Sequence, residues 1–287
     1  MYMNLENEIL NTAIALARKA GLTLLESNGD VQVLSKKGDN SNIVTAADAA
    51  SEAIIVHGVR QKYPDHSIIA EETGCDLRGS EFTWVIDPLD GTSNYAAGIP
   101  WFGVLIAVLQ GKKPVAAVIH IPSTGDVYSA QAGRGAFKND EPIFVAHNDM
   151  LADVLWAYGM DGGSTDEEAE RNTYLLSKLL RRVRNIRATN SLMDPAYTAE
   201  GRLGGMLNQS TRLWDIAAPM LIVQEAGGLY TDLTGQQLDL DISESAADKE
   251  YAVLAGAPQL HSEVAALVRE TRLHCKTDHA GGVISFY

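Results

Sequence analysis

The chain predicts a mixed α/β protein in which layers of helix and sheet surround a shared core. Three observations carry that prediction. Stretches with apolar residues at helical spacing interchange with short apolar runs of strand length. Of 287 residues, 46% are hydrophobic and only 21% charged, enough to fill a large interior. No internal repeat appears, and no Pro-, Gly- or Ser-rich linker divides the sequence. The whole chain, 1–287, is therefore expected to form one domain.

Residues 5–25 place Ile9, Leu10, Ile14, Ala17, Leu22 and Leu25 at helical spacing, and Ser-Asn-Gly-Asp at 27–30 stops that helix. A short strand is expected at 31–34, then a polar, glycine-containing loop over 36–42. A second helix starts near Thr45 and stops before Pro64. The period then changes. Residues 67–70, 82–86, 103–109, 115–121 and 127–130 read as strands, with a hairpin turn at Gly111-Lys112-Lys113-Pro114. A strand at 154–158, a Leu-rich helix at 167–180 and a strand at 186–188 follow, then a helix at 194–201 entered through Pro195. Residues 214–226 form a helix ended by Gly227-Gly228, 251–255 a buried strand, and 258–270 a helix opened by Pro258. Residues 273–287 show no periodicity and read as a poorly ordered tail.

Composition narrows the function. A net charge of −14 opposes a general electrostatic grip on nucleic acid. The same field repels an anionic substrate unless bound cations reverse it locally. Cys75 and Cys275 lie far apart and fit neither a disulfide framework nor a metal-ligand spacing. The start MYMNLENEIL lacks the basic and apolar regions of a signal peptide, and the longest apolar runs are too short to span a bilayer. A cytoplasmic protein is expected, with no membrane partner.

Four segments place acids at the ends of elements. In Trp84-Val85-Ile86-Asp87-Pro88-Leu89-Asp90-Gly91-Thr92 an apolar strand ends in two acids three residues apart, which repel one another unless a cation lies between them. Ile68-Ile69-Ala70 runs straight into Glu71-Glu72-Thr73, Trp214-Asp215 opens an apolar helix, and Ile43-Val44-Thr45 leads to Asp48. Hard oxygen donors of this kind suit Mg²⁺, and the seven histidines are too scattered to offer a softer site. Each acid also has an ordinary architectural explanation. Asp48 and Asp215 could be first-turn residues of helices, Glu71-Glu72 a solvated turn, and Asp87-Pro88 a strand exit. Two acid pairs at strand ends, where α/β proteins gather ligands, favour a shared site.

Glu71-Glu72-Thr73, Asp87-Pro88-Leu89-Asp90-Gly91-Thr92 and Trp214-Asp215-Ile216-Ala217-Ala218, followed by Glu225-Ala226-Gly227-Gly228, resemble the three signature blocks of the inositol monophosphatase-like family. The similarity runs from the first helix to at least Ala255. It implies a layered α-β-α-β-α sandwich, with an N-terminal metal-binding half over about 1–145 and a C-terminal half over about 146–272. It further implies a Mg²⁺-dependent, lithium-sensitive phosphatase using two to three ions, working as a homodimer on a small phosphorylated metabolite. Glu71, Asp87 and the Leu89 carbonyl would hold one ion; Asp87, Asp90 and Asp215 a second. Thr92 and Glu71 would orient the attacking water, with Asp48 hydrogen-bonded to Thr92. Gly91 and Thr92 would offer N–H groups to the phosphate, and Lys37 would sit on a mobile loop beside the ions.

The substrate end departs from the inositol pattern. Where inositol phosphatases carry a glutamate for the ring hydroxyls, this chain has Asn208, and the upstream backbone segment reads Thr189-Asn190-Ser191. An amide both donates and accepts, so the hydroxyl-reading pattern should change. Asn190, Ser191, Asn208 and Asp215 are expected to face the leaving alcohol. Inositol monophosphate is the default substrate; histidinol phosphate, fructose bisphosphate or adenosine bisphosphate are alternatives, as is a non-catalytic binding protein of the same fold. Asn42 replaces a frequent loop aspartate, and Trp101, Phe102, Met193, Met206 and Met220 are expected to pack.

Overall fold

The computed structural model describes residues 2–27, 33–36, 43–160 and 165–278. In chain order the elements are α1 (Tyr2–Ser27), β1 (Val33–Lys36), β2 (Ile43–Thr45), α2 (Ala46–Lys62), β3 (Ser67–Ala70), β4 (Gly74–Asp76), β5 (Phe82–Asp90) and α3 (Thr92–Ala96). Next come β6 (Gly103–Gln110), β7 (Lys113–Ile121), β8 (Asp126–Gln131), β9 (Ala136–Lys138), β10 (Glu141–Pro142), β11 (Leu155–Gly159), α4 (Asp166–Leu180) and β12 (Asn185–Arg187). The chain continues through α5 (Met193–Ala199), β13 (Gly205–Thr211), α6 (Leu213–Glu225), β14 (Leu229–Asp232), β15 (Tyr251–Gly256) and α7 (Pro258–Asp278).

Eight strands form one sheet in the order β10-β9-β8-β7-β6-β5-β3-β4, antiparallel except where β3 runs parallel to β5. A second sheet runs β12-β11-β13-β15-β14, with β11 parallel to both its neighbours. Helices α1 and α2 pack on the outer face of the large sheet, α5 and α6 lie between the sheets, and α4 and α7 cover the far side. This is the expected α-β-α-β-α sandwich.

Burial on both faces explains why the large sheet's strands are almost continuously apolar. In β5, Trp84 and Ile86 face the α1–α2 layer while Val85 joins the core around α6. α1 contributes Ile9, Ala13, Ala17, Ala20 and Leu24, all fully buried and all three or four residues apart. Among the described residues no helix is long and apolar enough to cross a membrane.

Two expectations need correction, and one strand was not foreseen. β5 does not stop at Ile86; it carries the acid pair to Asp90. The closing helix runs on to Asp278, so an unstructured tail from residue 273 is not what the chain forms; residues 279–287 lie outside the described part, as do Lys37 and Asn42. β13 was hidden in the sequence because one of its faces is polar, and it becomes a strand through pairing with β11 and β15.

Candidate active site

In a regular strand, residues three apart point to opposite faces. Asp87 and Asp90 nevertheless belong to one cluster, because β5 bulges between them: Asp87 pairs with Leu105 and Asp90 with Gly103, three steps on one strand against two on the other. Pro88, lacking an N–H, sits at the irregularity, where the ladder loses nothing by it. The Leu89 N–H donates to Asp87 Oδ1 at 3.0 Å, and the Leu192 N–H to Asp90 Oδ1 at 2.5 Å.

The third acid comes from the other half of the chain. Asp215 lies in the first turn of α6, where its Oδ2 accepts from the Arg212 N–H at 2.7 Å and from Thr211 Oγ1 at 2.7 Å. It is both a helix-start residue and a member of the cluster. Carboxylate oxygens of Asp87, Asp90 and Asp215 all lie within 4.8 Å of one another. Parallel pairing of Ala70 with Ile86 brings Glu71 beside Asp87 at adjoining strand ends.

Electrostatics follow from this crowding. Burial pushes the Asp87 carboxyl well up, and the charges of Glu71, Asp90 and Asp215 add to the shift. Burial also raises Asp215, against the lowering hydrogen bonds from Thr211 and Arg212. A divalent cation would relieve this repulsion, and an all-oxygen donor set fits a hard ion. The cluster can therefore hold a metal.

Helix α2 supports both acid segments from behind. Its N-cap is Thr45, whose N–H and hydroxyl both donate to Asp48 Oδ2, at 2.8 and 2.5 Å. The other Asp48 oxygen accepts from Thr92 Oγ1 at 3.3 Å, so Asp48 caps its helix and reaches the cleft. Burial raises its carboxyl, opposed by the Thr45 hydrogen bonds. Ser51 Oγ donates to the Pro88 carbonyl at 2.6 Å, and Glu52 receives the Glu72 and Thr73 N–H groups at 2.9 and 2.8 Å. Neither Ser51 nor Glu52 was legible as a site residue in the sequence, where both read as ordinary helix positions.

Gly91 precedes the short helix α3 with φ +80°, a left-handed conformation that side chains resist. A Cβ there would also lie 2.5 Å from the Trp101 carbonyl. The single Thr92 hydroxyl proton has two acceptors within reach, the Leu89 carbonyl at 2.9 Å and Asp48 Oδ1 at 3.3 Å, and Asn94 Nδ2 bridges the Trp101 and Thr189 carbonyls at 3.1 Å each.

A cavity of about 750 Å³ opens over these groups. Glu71, Asp87, Leu89, Asp90, Gly91, Thr92, Asn190, Ser191, Asn208 and Asp215 all line it. The structure thus gathers every predicted site residue within the described part except Asp48, which touches the cleft through Thr92. Asn190 (φ 51°) accepts the Met160 N–H through Oδ1 at 3.0 Å. Gly159 makes room for both amides: a Cβ there would be 3.0 Å from Asn208 Cγ and 3.3 Å from Asn190 Oδ1.

Asp194, Arg212 and Glu250 also line the cavity and were missed. Burial pushes the Asp194 carboxyl up to about 7, and Thr189 Oγ1 donates to it at 2.7 Å. Phe102 packs as expected, edge-on to Tyr95, whereas Trp101 is 40% exposed. Met193 and Met220 are core residues; Met206 is buried but also faces the cavity.

Comparisons with known proteins agree with this architecture. The Nus factor SuhB of Escherichia coli (strain K12) is 37% identical over 233 residues, covering 79% of this chain and 86% of that protein. The fructose-1,6-bisphosphatase/inositol-1-monophosphatase of Thermotoga maritima is 33% identical over 262 residues, 91% and 96% of the two chains. The crystal structure of the extragenic suppressor protein suhB from Bartonella henselae superposes with a TM-score of 0.83 at 30% identity, covering 92% of this chain and 99% of that one. Since the inositol monophosphatase family profile matches residues 5–273, spanning every segment that builds the acid cluster and its cavity, the chain belongs to that family.

Proposed function

We propose that the protein is a Mg²⁺-dependent phosphatase that hydrolyses a small phosphate monoester by direct attack of water, with inositol monophosphate as the default substrate. The observation that carries this is the convergence of Asp87, Asp90 and Asp215 within 4.8 Å at the floor of the cavity. Glu71, Asp87 and the Leu89 carbonyl would hold one ion, and Asp87, Asp90 and Asp215 another, with Asp87 shared. When bound, such ions neutralise phosphoryl charge and lower the pKa of water.

The chain's own groups supply the rest. With the Leu89 carbonyl taken up by an ion, the Thr92 hydroxyl would turn its one proton from that carbonyl to Asp48, leaving an Oγ1 lone pair to accept a hydrogen bond from the attacking water. Glu71, which also lines the cavity, would be the second acceptor for that water. Gly91 and Thr92 present N–H groups to the phosphoryl oxygens, and the left-handed Gly91 lets the backbone come close. Asn190, Ser191, Asn208 and Asp215 would receive the leaving alcohol. Histidinol phosphate, fructose bisphosphate and adenosine bisphosphate remain alternative substrates because Asn208 replaces a carboxylate.

The same reading carries a cytoplasmic homodimer with a metabolite as its ligand, and the net charge of −14 supports the absence of nucleic-acid and membrane partners. Relatives named Nus factor SuhB favour a second reading, a non-catalytic binding protein on the same fold. Phosphate release from inositol 1-phosphate and from an aryl phosphate, by the parent and by Asp90→Asn, separates the two. A loss of about 100-fold or more is expected for the variant; equal rates would overturn the role given to Asp90, and no release from either protein would overturn the phosphatase assignment.

A further inference from the structure

The cavity wall opposite the acid cluster has a pattern of its own. Met206, Asn208 and Ser210 alternate along β13 and all face the cavity, and Arg212 follows at the strand-to-helix junction. Arg212 is the one Lys, Arg or His side chain lining the cavity among the described residues; the other charged groups there are carboxylates. Its N–H is fixed on Asp215, so the side chain starts from the edge of the metal cluster.

The guanidinium is held from two sides. Nη1 donates to the Asp248 carbonyl at 2.9 Å, a backbone anchor that no ligand need displace. Nη2 donates to Glu250 Oε1 at 3.1 Å, while Glu250 Oε2 accepts from Ser210 Oγ at 3.2 Å. The Arg212 side chain is 36% exposed and that of Glu250 59%, so water screens the pair and its carboxylate is readily exchanged. Arginine stays charged at any working pH and presents a planar fork suited to carboxylate and phosphate oxygens. With an amide at Asn208, the wall between the cluster and Arg212 carries no charge to repel an incoming anion.

Building on the phosphatase assignment, we propose that Arg212 is the specificity-determining residue of this site. It exchanges Glu250 for a second anionic group on the leaving alcohol, a phosphate or a carboxylate, with Ser210 as an additional donor. Substrates carrying such a group are preferred over neutral alcohols with the same scissile ester.

Two matched pairs distinguish the two anions: fructose 1,6-bisphosphate against fructose 1-phosphate, and 2-phosphoglycerate against glycerol 2-phosphate. The parent should favour the partner that bears the second anionic group in at least one pair. Arg212→Gln should cut that kcat/KM ratio by about 10- to 100-fold, the loss of one charge-assisted hydrogen bond. Glu250→Gln, which removes the competing carboxylate, should raise the ratio by lowering KM for the favoured substrate. Opposite shifts from the two variants would not follow from a purely structural ion pair. Equal loss on both members of each pair in Arg212→Gln, or no preference in the parent, would overturn the proposal.

An aryl phosphate control reports on the phosphatase assignment separately. If no ester is cleaved, that assignment falls, and calorimetric binding of the same four compounds decides the subsite alone. Tighter binding of the second-anion compound to the parent than to Arg212→Gln supports it; equal binding overturns it.

Discussion

Glu52, buried in α2, accepts the backbone N–H of Thr73 at 2.8 Å through one carboxylate oxygen and that of Glu72 at 2.9 Å through the other. The turn that carries Glu71 is therefore pinned by a helix about twenty residues earlier in the chain, and the negative charge suits two N–H donors at once. Glu52→Gln keeps the shape but turns an NH₂ toward one N–H group, leaving a donor without a partner. A cost of about 1–3 kcal/mol is expected, seen as a lower melting temperature together with weaker Mg²⁺ binding by calorimetry. A variant as stable as the parent, with unchanged metal affinity, would show that the turn holds itself.

Metal binding should strengthen as pH rises. Burial raises Asp87 and Asp215, so in the metal-free fold they hold protons that the unfolded chain has already released. Raised carboxyls thus favour the metal-free fold at low pH, and that contribution is lost as pH climbs through their folded values. A cation must displace those protons, and each one displaced changes the apparent affinity about ten-fold per pH unit. The thermal stabilisation conferred by Mg²⁺ should grow as pH rises from the acid range, the direction in which the raised carboxyls lose their protons. His66, His120 and His261, lowered by burial, act in the opposite sense on overall stability. They lie outside the cluster, so they cancel between samples with and without metal. A Mg²⁺ increment that stays constant over that whole range would show that binding displaces no proton from the buried acids.

Gly91→Ala tests the tight turn before α3. The substitution meets both a φ of +80° and a carbonyl 2.5 Å from the new Cβ. A loss of at least about 2 kcal/mol is expected from the left-handed strain and the backbone shift together. Chemical denaturation measures it. Activity should fall further than stability alone explains, because the shift moves the N–H groups at 91 and 92.

Lithium should inhibit phosphate release at millimolar-scale concentration if Li⁺ takes a Mg²⁺ position among Asp87, Asp90 and Asp215, as the family resemblance implies. A titration at fixed Mg²⁺ checks this. Unchanged rates would indicate that the arrangement around Asp90 departs from that of its relatives.

The apolar periods of α1, α2, β3 and β6 were legible in the sequence because burial on one face or two leaves a local pattern. The acids were legible too: Glu71, Asp87, Asp90 and Asp215 stand at the ends of such patterns, and the cavity gathers all four. What the sequence could not supply was whatever depends on distant partners. Asp87 and Asp90 share one face only because β5 bulges against β6, a register that neither strand specifies alone. β13, half polar, gave no strand signal in the sequence and takes its form from pairing with β11 and β15. Glu52 and Arg212 carried no site signal in the sequence; folding set the first under the Glu72–Thr73 turn and the second on the cavity wall. Local patterning determined which residues form the elements and which acids are candidates. Long-range packing decided which of those acids share a cavity, gave Asp90 its Leu192 donor and set Arg212 on the facing wall, since such contacts join residues tens of positions apart and leave no periodic trace.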